Sequence, residues 1–301
     1  MSVKIVWITD FDCIAGIGGG AELSDRAVIK EGFKRGYDIE VITPNSPTRE
    51  MAYTADVAVI SNASLFPLPF LAQLLDRLLV VNYIHDYFPL CAYRLYYPEL
   101  PKCKTTCRTR KFAEDFISKA ALNVFLSPMH YQLWKRAISQ VDDVPHYLHP
   151  SPIDTEMFKL MPVVERLPGS VLGVNVLLGF KGKLNVLKYV LDHPGLMFTF
   201  CGSKDDDVKL PSNATWIDVV PYIEMPGMYA QAERVIHLPS SVEPFGRIAA
   251  EAKLCGTGFI GNKLVGALSY NEYHKMTRNE YAAWIAGAPR RFWNKVKKEV
   301  L

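Results

Sequence analysis

Residues 243–256 read EPFGRIAAEAKLCG: Glu243 opens a Pro-Phe-Gly turn, and Glu251 follows after seven intervening residues. Upstream, Arg234-Val235-Ile236-His237-Leu238 has the β-branched, apolar character of a strand. Pro239 to Pro244 therefore lies beyond the C-terminal end of that strand. A helix should open near Phe245 or Gly246 and run from Ile248 to Leu254, with Gly258 to Gly261 as the next strand. A strand, loop, helix and strand in succession define a parallel α/β architecture, which binds ligands outside the carboxyl ends of its strands.

Eight helical residues span roughly 12 Å, so Glu243 on the loop and Glu251 two turns down the helix suit a ligand with polar groups at two separated points. A helix N-terminus presents free N–H groups and a positive dipole end, and Gly246 lets a ligand approach the backbone, which together favour phosphate. A carboxylate can accept from two adjacent hydroxyls, so Glu251 suits a ribose diol and Glu243 a sugar; the combined target is a nucleotide diphosphate-sugar. The competing interpretation is a surface loop residue and a solvated helix position. The small, apolar neighbours Ile248, Ala249, Ala250 and Ala252 argue against an exposed Glu251, yet spacing alone leaves both interpretations standing.

The same alternation recurs along the rest of the chain. Val3–Thr9 reads as a strand, a Gly-rich loop follows (Gly16, Gly18, Gly19, Gly20), then a helix over Ala21–Arg35 and a strand over Asp38–Thr43. Strands at Val57–Ser61, Leu79–Ile84 and Asn123–Leu126 alternate with helices near Pro69–Arg77, Ala113–Lys119 and Met129–Ile138. Five prolines between Val144 and Pro168 mark a linker. Beyond it, strands at Val171–Leu178, Met197–Cys201 and Trp216–Val220 alternate with helices at Lys183–Leu191 and Met225–Ala232. The expected organisation is an N-terminal Rossmann-like domain (1–150), a linker (151–168), a second, C-terminal Rossmann-like domain (169–276) and C-terminal helices (277–301) that cross back to the first domain. The two domains should face each other across a cleft.

With 34 basic and 31 acidic residues, the charge of +3 argues against a nucleic-acid partner. MSVKIVWITDF is too short an apolar run for a secretory signal, no run approaches the roughly 18 residues of a membrane span, and six scattered cysteines fit reduced thiols, so a cytoplasmic protein is expected.

The segment HLPSSVEPFGRIAAEAKLCGTGFIG (His237–Gly261) resembles the Pro-Ser…Glu-x-Phe-Gly…Glu-Ala…Cys-Gly…Ile motif of retaining glycosyltransferases of the GT-B fold, family 4. Other segments agree in order along nearly the whole chain. Gly18-Gly19-Gly20-Ala21-Glu22 with Arg35–Val41 is similar to the family's acceptor-side loop and second strand, and His85-Asp86-Tyr87-Phe88-Pro89-Leu90 to its His-Asp loop. Ile153-Asp154-Thr155 to Phe158 is similar to the interdomain Ile-Asp-x-x-x-Phe, and Lys181-Gly182 to the donor-phosphate lysine. The resemblance implies a retaining, metal-independent hexosyl transfer from a nucleotide diphosphate-sugar to a hydroxyl of a glycan, lipid or small molecule, with no cofactor beyond that co-substrate. It assigns Glu243, Lys181 and His85 to the reaction, Glu251, Phe245, Gly246, Arg247, Gly182 and Gly202 to the donor, and Gly18, Gly19, Gly20 and Asp86 to the acceptor loop. One departure stands out. The family's donor-phosphate arginine sits about five residues before the lysine, where this chain reads Gly173-Val174-Asn175-Val176. Either Arg247 or another base replaces it, or the chain is a degenerate, non-catalytic relative that binds nucleotide or glycan.

Other candidates carry weaker signals. Gly16–Ala21 formally fits G-x-G-x-x-G/A, but the second strand ends Ile42-Thr43-Pro44-Asn45 without the acid a dinucleotide ribose needs. Cys91, Cys103 and Cys107 fall one ligand short of a zinc site, and a non-metal loop is preferred. In the tail, Phe292, Trp293, Val296 and Val300 share a helical face among basic residues. That face would suit an anionic membrane surface or packing across the N-terminal domain, and the second is favoured. Thr277-Arg278-Asn279-Glu280 reads as a capping box.

Overall fold

The computed structural model describes residues 3–15, 19–47, 49–96, 108–161 and 165–301. The chain divides into two compact units, Met1–Pro152 with Gly287–Leu301, and Ile153–Ala286.

In the first unit, β1 (Lys4–Ile8), α1 (Gly20–Lys34), β2 (Asp38–Ile42), β3 (Val57–Ile60), α2 (Leu68–Arg77), β4 (Leu79–Ile84), α3 (Arg108–Ser118), β5 (Leu122–Phe125), α4 (Pro128–Ala137) and β6 (His146–Leu148) alternate as the apolar runs predict. The six strands form a parallel sheet in the order β2-β1-β3-β4-β5-β6. Strands β3 and β5 are buried along their whole length, as in a sheet covered on both faces. Strand order reverses between β1 and β3, which places the ligand-binding crevice of such a sheet beyond their C-terminal ends.

In the second unit, β7 (Leu167–Val174), α5 (Lys183–Asp192), β8 (Met197–Cys201), β9 (Ala214–Ile217), α6 (Met225–Gln231), β10 (Ala232–His237), α7 (Arg247–Leu254), β11 (Gly258–Gly261), α8 (Asn271–Lys275) and α9 (Arg278–Ala286) build a second parallel sheet in the order β11-β10-β7-β8-β9. Its core includes Val171, Leu177, Val186, Val190, Phe198, Phe200 and Ile236. The reversal here falls between β7 and β10. Everything that follows Val174 and His237 therefore gathers at one end of the sheet, and those two segments carry Lys181 and Glu243.

The proline-rich stretch is more ordered than its composition suggests. Strand β6 forms within it, and β7 begins at Leu167, four residues before the apolar run. The β7–β10 register slips between Ala232 and Arg234, where a bulge takes up Pro168 and a left-handed Gly169 (φ +73°). Proline is tolerated at the start of a strand and at a bulge, and the local pattern hides both.

The last helix, α10 (Ala288–Glu299), belongs to the first unit, whereas α9 stays with the second. Phe292, Trp293 and Val296 are fully buried, and the Trp293 indole donates to the Val28 carbonyl at 2.7 Å. Gly32 on α1 allows this approach, since a Cβ there would lie 2.7 Å from the Trp293 ring. The apolar face that the tail would offer a membrane is spent inside the first unit. Among the described residues no helix is long and apolar enough to cross a membrane. Thr277 and Glu280 form the expected capping box, the Thr277 amide donating to Glu280 at 2.8 Å and the Glu280 amide to the Thr277 hydroxyl at 3.4 Å.

Candidate functional site

The second unit brings Lys181 and Glu243 into contact. Phe180 and Lys181 lie in a single turn of 3₁₀ helix (Gly179–Lys181) after β7, and Gly182 caps α5 in a left-handed conformation (φ +93°). A Cβ on Gly182 would fall 1.9 Å from the Leu238 carbonyl oxygen, so only glycine lets this turn rest on the end of β10. Two further ties join the segments: the Ser241 hydroxyl donates to the Phe180 carbonyl at 3.2 Å, and the Asn185 amide to the Leu238 carbonyl at 3.1 Å. The Glu243 backbone is pinned on its other side by Leu264 (2.8 Å) and Gly266 (3.0 Å).

Between these fixed backbones, Lys181 Nζ meets Glu243 Oε1 at 2.6 Å. His237 Nε2, on the last residue of β10, stands 3.7 Å from the same oxygen. Burial alone would push the Glu243 carboxyl up. The Lys181 ammonium and the adjacent His237 imidazole outweigh it and hold the carboxyl down at about 2. Glu243 is therefore ionised, and Lys181 is its counter-ion.

A second cluster follows on α7. Gly246 takes a left-handed conformation at its N-cap (φ +80°), where a Cβ would lie 2.7 Å from Val265. Glu251 is 5% exposed and not solvated: Oε1 accepts from the Tyr222 hydroxyl and Oε2 from the Tyr229 hydroxyl, both at 3.0 Å. Burial and the Glu251 charge push both tyrosine hydroxyls up, so they remain protonated donors. Arg247 Nη2 donates to Tyr222 at 2.9 Å, and Nε lies 3.5 Å from Glu251. Each Glu251 oxygen keeps a lone pair for a further hydroxyl. The Phe245 side chain is core beside Tyr270, which leaves only its backbone for a ligand.

Gly202 (φ +94°) is required by packing, since a Cβ would strike Asn175 Oδ1 at 2.2 Å. Its amide donates to Asp218 at 3.3 Å and its carbonyl accepts from the Trp216 indole at 2.8 Å, so the backbone groups that would face a ligand are engaged within the unit. Asn175 also holds the Ser203 amide at 3.0 Å.

The first unit gathers its own polar end. His85 Nε2 meets the fully buried Asp25 at 3.0 Å, and Asp25 also accepts from the Ser61 hydroxyl at 2.7 Å. Asp86 accepts from the Phe88 amide at 2.7 Å and Arg94 Nε at 2.5 Å, and Arg94 reaches Ser64 and Asn62 beyond β3. Gly19 donates to Glu22 at 2.7 Å at the start of α1, where Gly20 is the first helical residue. Gly18, Cys103 and Cys107 lie outside the described residues. The residues that sequence reasoning missed are Asp25, Tyr222, Tyr229 and His237. Asp25 was findable: Glu22, Asp25, Ile29 and Gly32 share one helical face, and that face is buried.

The two parallel α/β sheets constitute the GT-B fold seen in solved glycosyltransferases. The chain is similar in structure to Anabaena HepE in complex with UDP and glucose, with a TM-score of 0.65, 17% identity, and 99% of this chain and 95% of that one covered. It is also similar to sucrose-phosphate synthase of Thermosynechococcus elongatus (TM-score 0.70, 16% identity, 99% and 94% covered). A third similar structure is an alpha-glucosyltransferase in complex with UDP and a 13-mer DNA containing a HMU base (TM-score 0.63, 13% identity, 99% and 100% covered). No protein-family model matches the sequence, and comparison with curated proteins gives no significant match.

Proposed function

We propose that the chain is a glycosyltransferase that takes a sugar from a nucleotide diphosphate-sugar to an acceptor hydroxyl, with the donor held by the second unit. The observation that carries this is the Lys181–Glu243 pair at the strand-order reversal beside the N-terminus of α7. As the bond from the anomeric carbon to the diphosphate breaks, its electron pair leaves with the diphosphate, and negative charge grows there. Lys181, Arg247 and the amides opening α7 are the positive groups that stabilise it. Glu243 takes a sugar hydroxyl, and Glu251 uses its remaining lone pairs for the ribose diol. His85 and Asp86, with the glycines opening α1, belong to the acceptor side, where a glycan, lipid or small molecule supplies the hydroxyl. Retention, independence from a divalent metal and membership of family 4 rest on the motif resemblance of His237–Gly261.

Asn175 motivates a second function, a nucleotide-binding relative without transfer. Arg247, placed at the first residue of α7 and 3.5 Å from Glu251, favours the enzyme by supplying the missing cation. A thermal-shift panel of UDP, GDP and ADP tests the donor site. One of them should raise the melting temperature of the wild type, and Glu251→Gln, which keeps an acceptor for the tyrosines, should reduce that rise by half or more. An equal rise in the variant removes Glu251 from the site.

A further inference from the structure

His237 is 1% exposed, and neither ring nitrogen has a hydrogen-bond partner among the described residues. Buried polar groups are nearly always partnered, so an imidazole left alone at the end of a strand asks what it is kept for. The carboxylate it faces is already taken: Lys181 Nζ sits on Glu243 Oε1 at 2.6 Å, and His237 Nε2 waits 3.7 Å from that same oxygen. An approach of about 0.8 Å would make a hydrogen bond. The two rivals differ in freedom. Lys181 has a flexible side chain that is 27% exposed, whereas His237 is locked in β10, paired to Gly261 of β11.

The contact with Glu243 opposes the proposed role of Lys181. An ammonium paired to a buried carboxylate must abandon it to reach a diphosphate, leaving a buried charge uncompensated, and that cost falls on donor binding. We infer that His237 is the exchange partner of Glu243: when the diphosphate draws Lys181 away, the imidazole N–H donates to the vacated oxygen and holds Glu243 ionised and aimed. His237 is thus a positioning residue that makes Lys181 available. The inference rests on the donor-site function proposed above and adds a resting state, in which Lys181 and Glu243 neutralise each other until the nucleotide arrives.

A double-mutant cycle on UDP affinity, measured by calorimetry with GDP and ADP as alternative probes, tests it. His237→Leu should weaken binding about ten-fold, the value of one lost hydrogen bond to a charged group. His237→Gln, which can still donate, should restore most of it. Glu243→Gln should bind more tightly than wild type because Lys181 is released, and in that background His237→Leu should cost almost nothing. A structural histidine would cost the same in both backgrounds. Equal costs, or no cost from His237→Leu in a variant that unfolds with a normal transition, overturn the exchange while leaving the donor site standing. A wild type that binds none of the three nucleotides overturns the donor site and the exchange together.

Discussion

At the scale of residues, the candidate site is a set of charges that neutralise one another. Because the Glu243 carboxyl lies at about 2 instead of 4.5, its pairing stabilises the folded chain fully above about pH 4.5 and loses that contribution as pH falls toward 2. Glu243→Gln should therefore cost about 3 kcal/mol at neutral pH, and the gap from wild type should close by pH 2 to 3 in denaturant unfolding; a pH-independent gap would contradict the assigned pairing. Glu243 stood out from its Pro-Phe-Gly turn and Lys181 through the family resemblance alone, and the fold brings the two together. His237 did not stand out. It reads as one more residue of a buried strand, and its meaning comes from an oxygen six residues on that only the fold brings near. Tyr222 and Tyr229 were hidden for the same reason, since the sequence gives no sign that they converge on Glu251 from the approach to α6 and from α6 itself.

Among the elements, most strands and helices with a clean period were legible to within a few residues, although α3 begins at Arg108, five residues before the expected Ala113. Those set by tertiary contact were not. Strand β6 is three residues long, α8 is five, and β7 starts inside Pro168-Gly169 because pairing with β10 overrides the local signal. The loops between elements do the positioning, and Gly182 shows how tightly. Gly182→Ala introduces both a left-handed non-glycine residue and a Cβ 1.9 Å from the Leu238 oxygen. It should destabilise the second unit by about 2 kcal/mol or more and weaken nucleotide binding by displacing Lys181. Unchanged unfolding and affinity in that variant would mean the turn does not place the lysine as described.

For the whole molecule, the alternation of strands and helices was enough to read two parallel α/β units, and the return of the chain to the first unit was legible in the apolar face of α10. The sequence expectation put the crossing at residue 277, one helix too early. It falls between Ala286 and Gly287, so α9 caps the second unit while α10 buries Trp293 against α1. The fold places the sheet reversal of the second unit at Lys181 and Glu243, and a transferase requires that site to cleave a sugar nucleotide. The direct measurement is release of nucleoside diphosphate from UDP-, GDP- and ADP-glucose, with and without added acceptor. Wild type should release the diphosphate from one of them, slowly when water is the only acceptor, and Lys181→Ala should lower the rate about a hundred-fold or more. Binding without any release, or release at an unchanged rate in Lys181→Ala, would contradict the proposal.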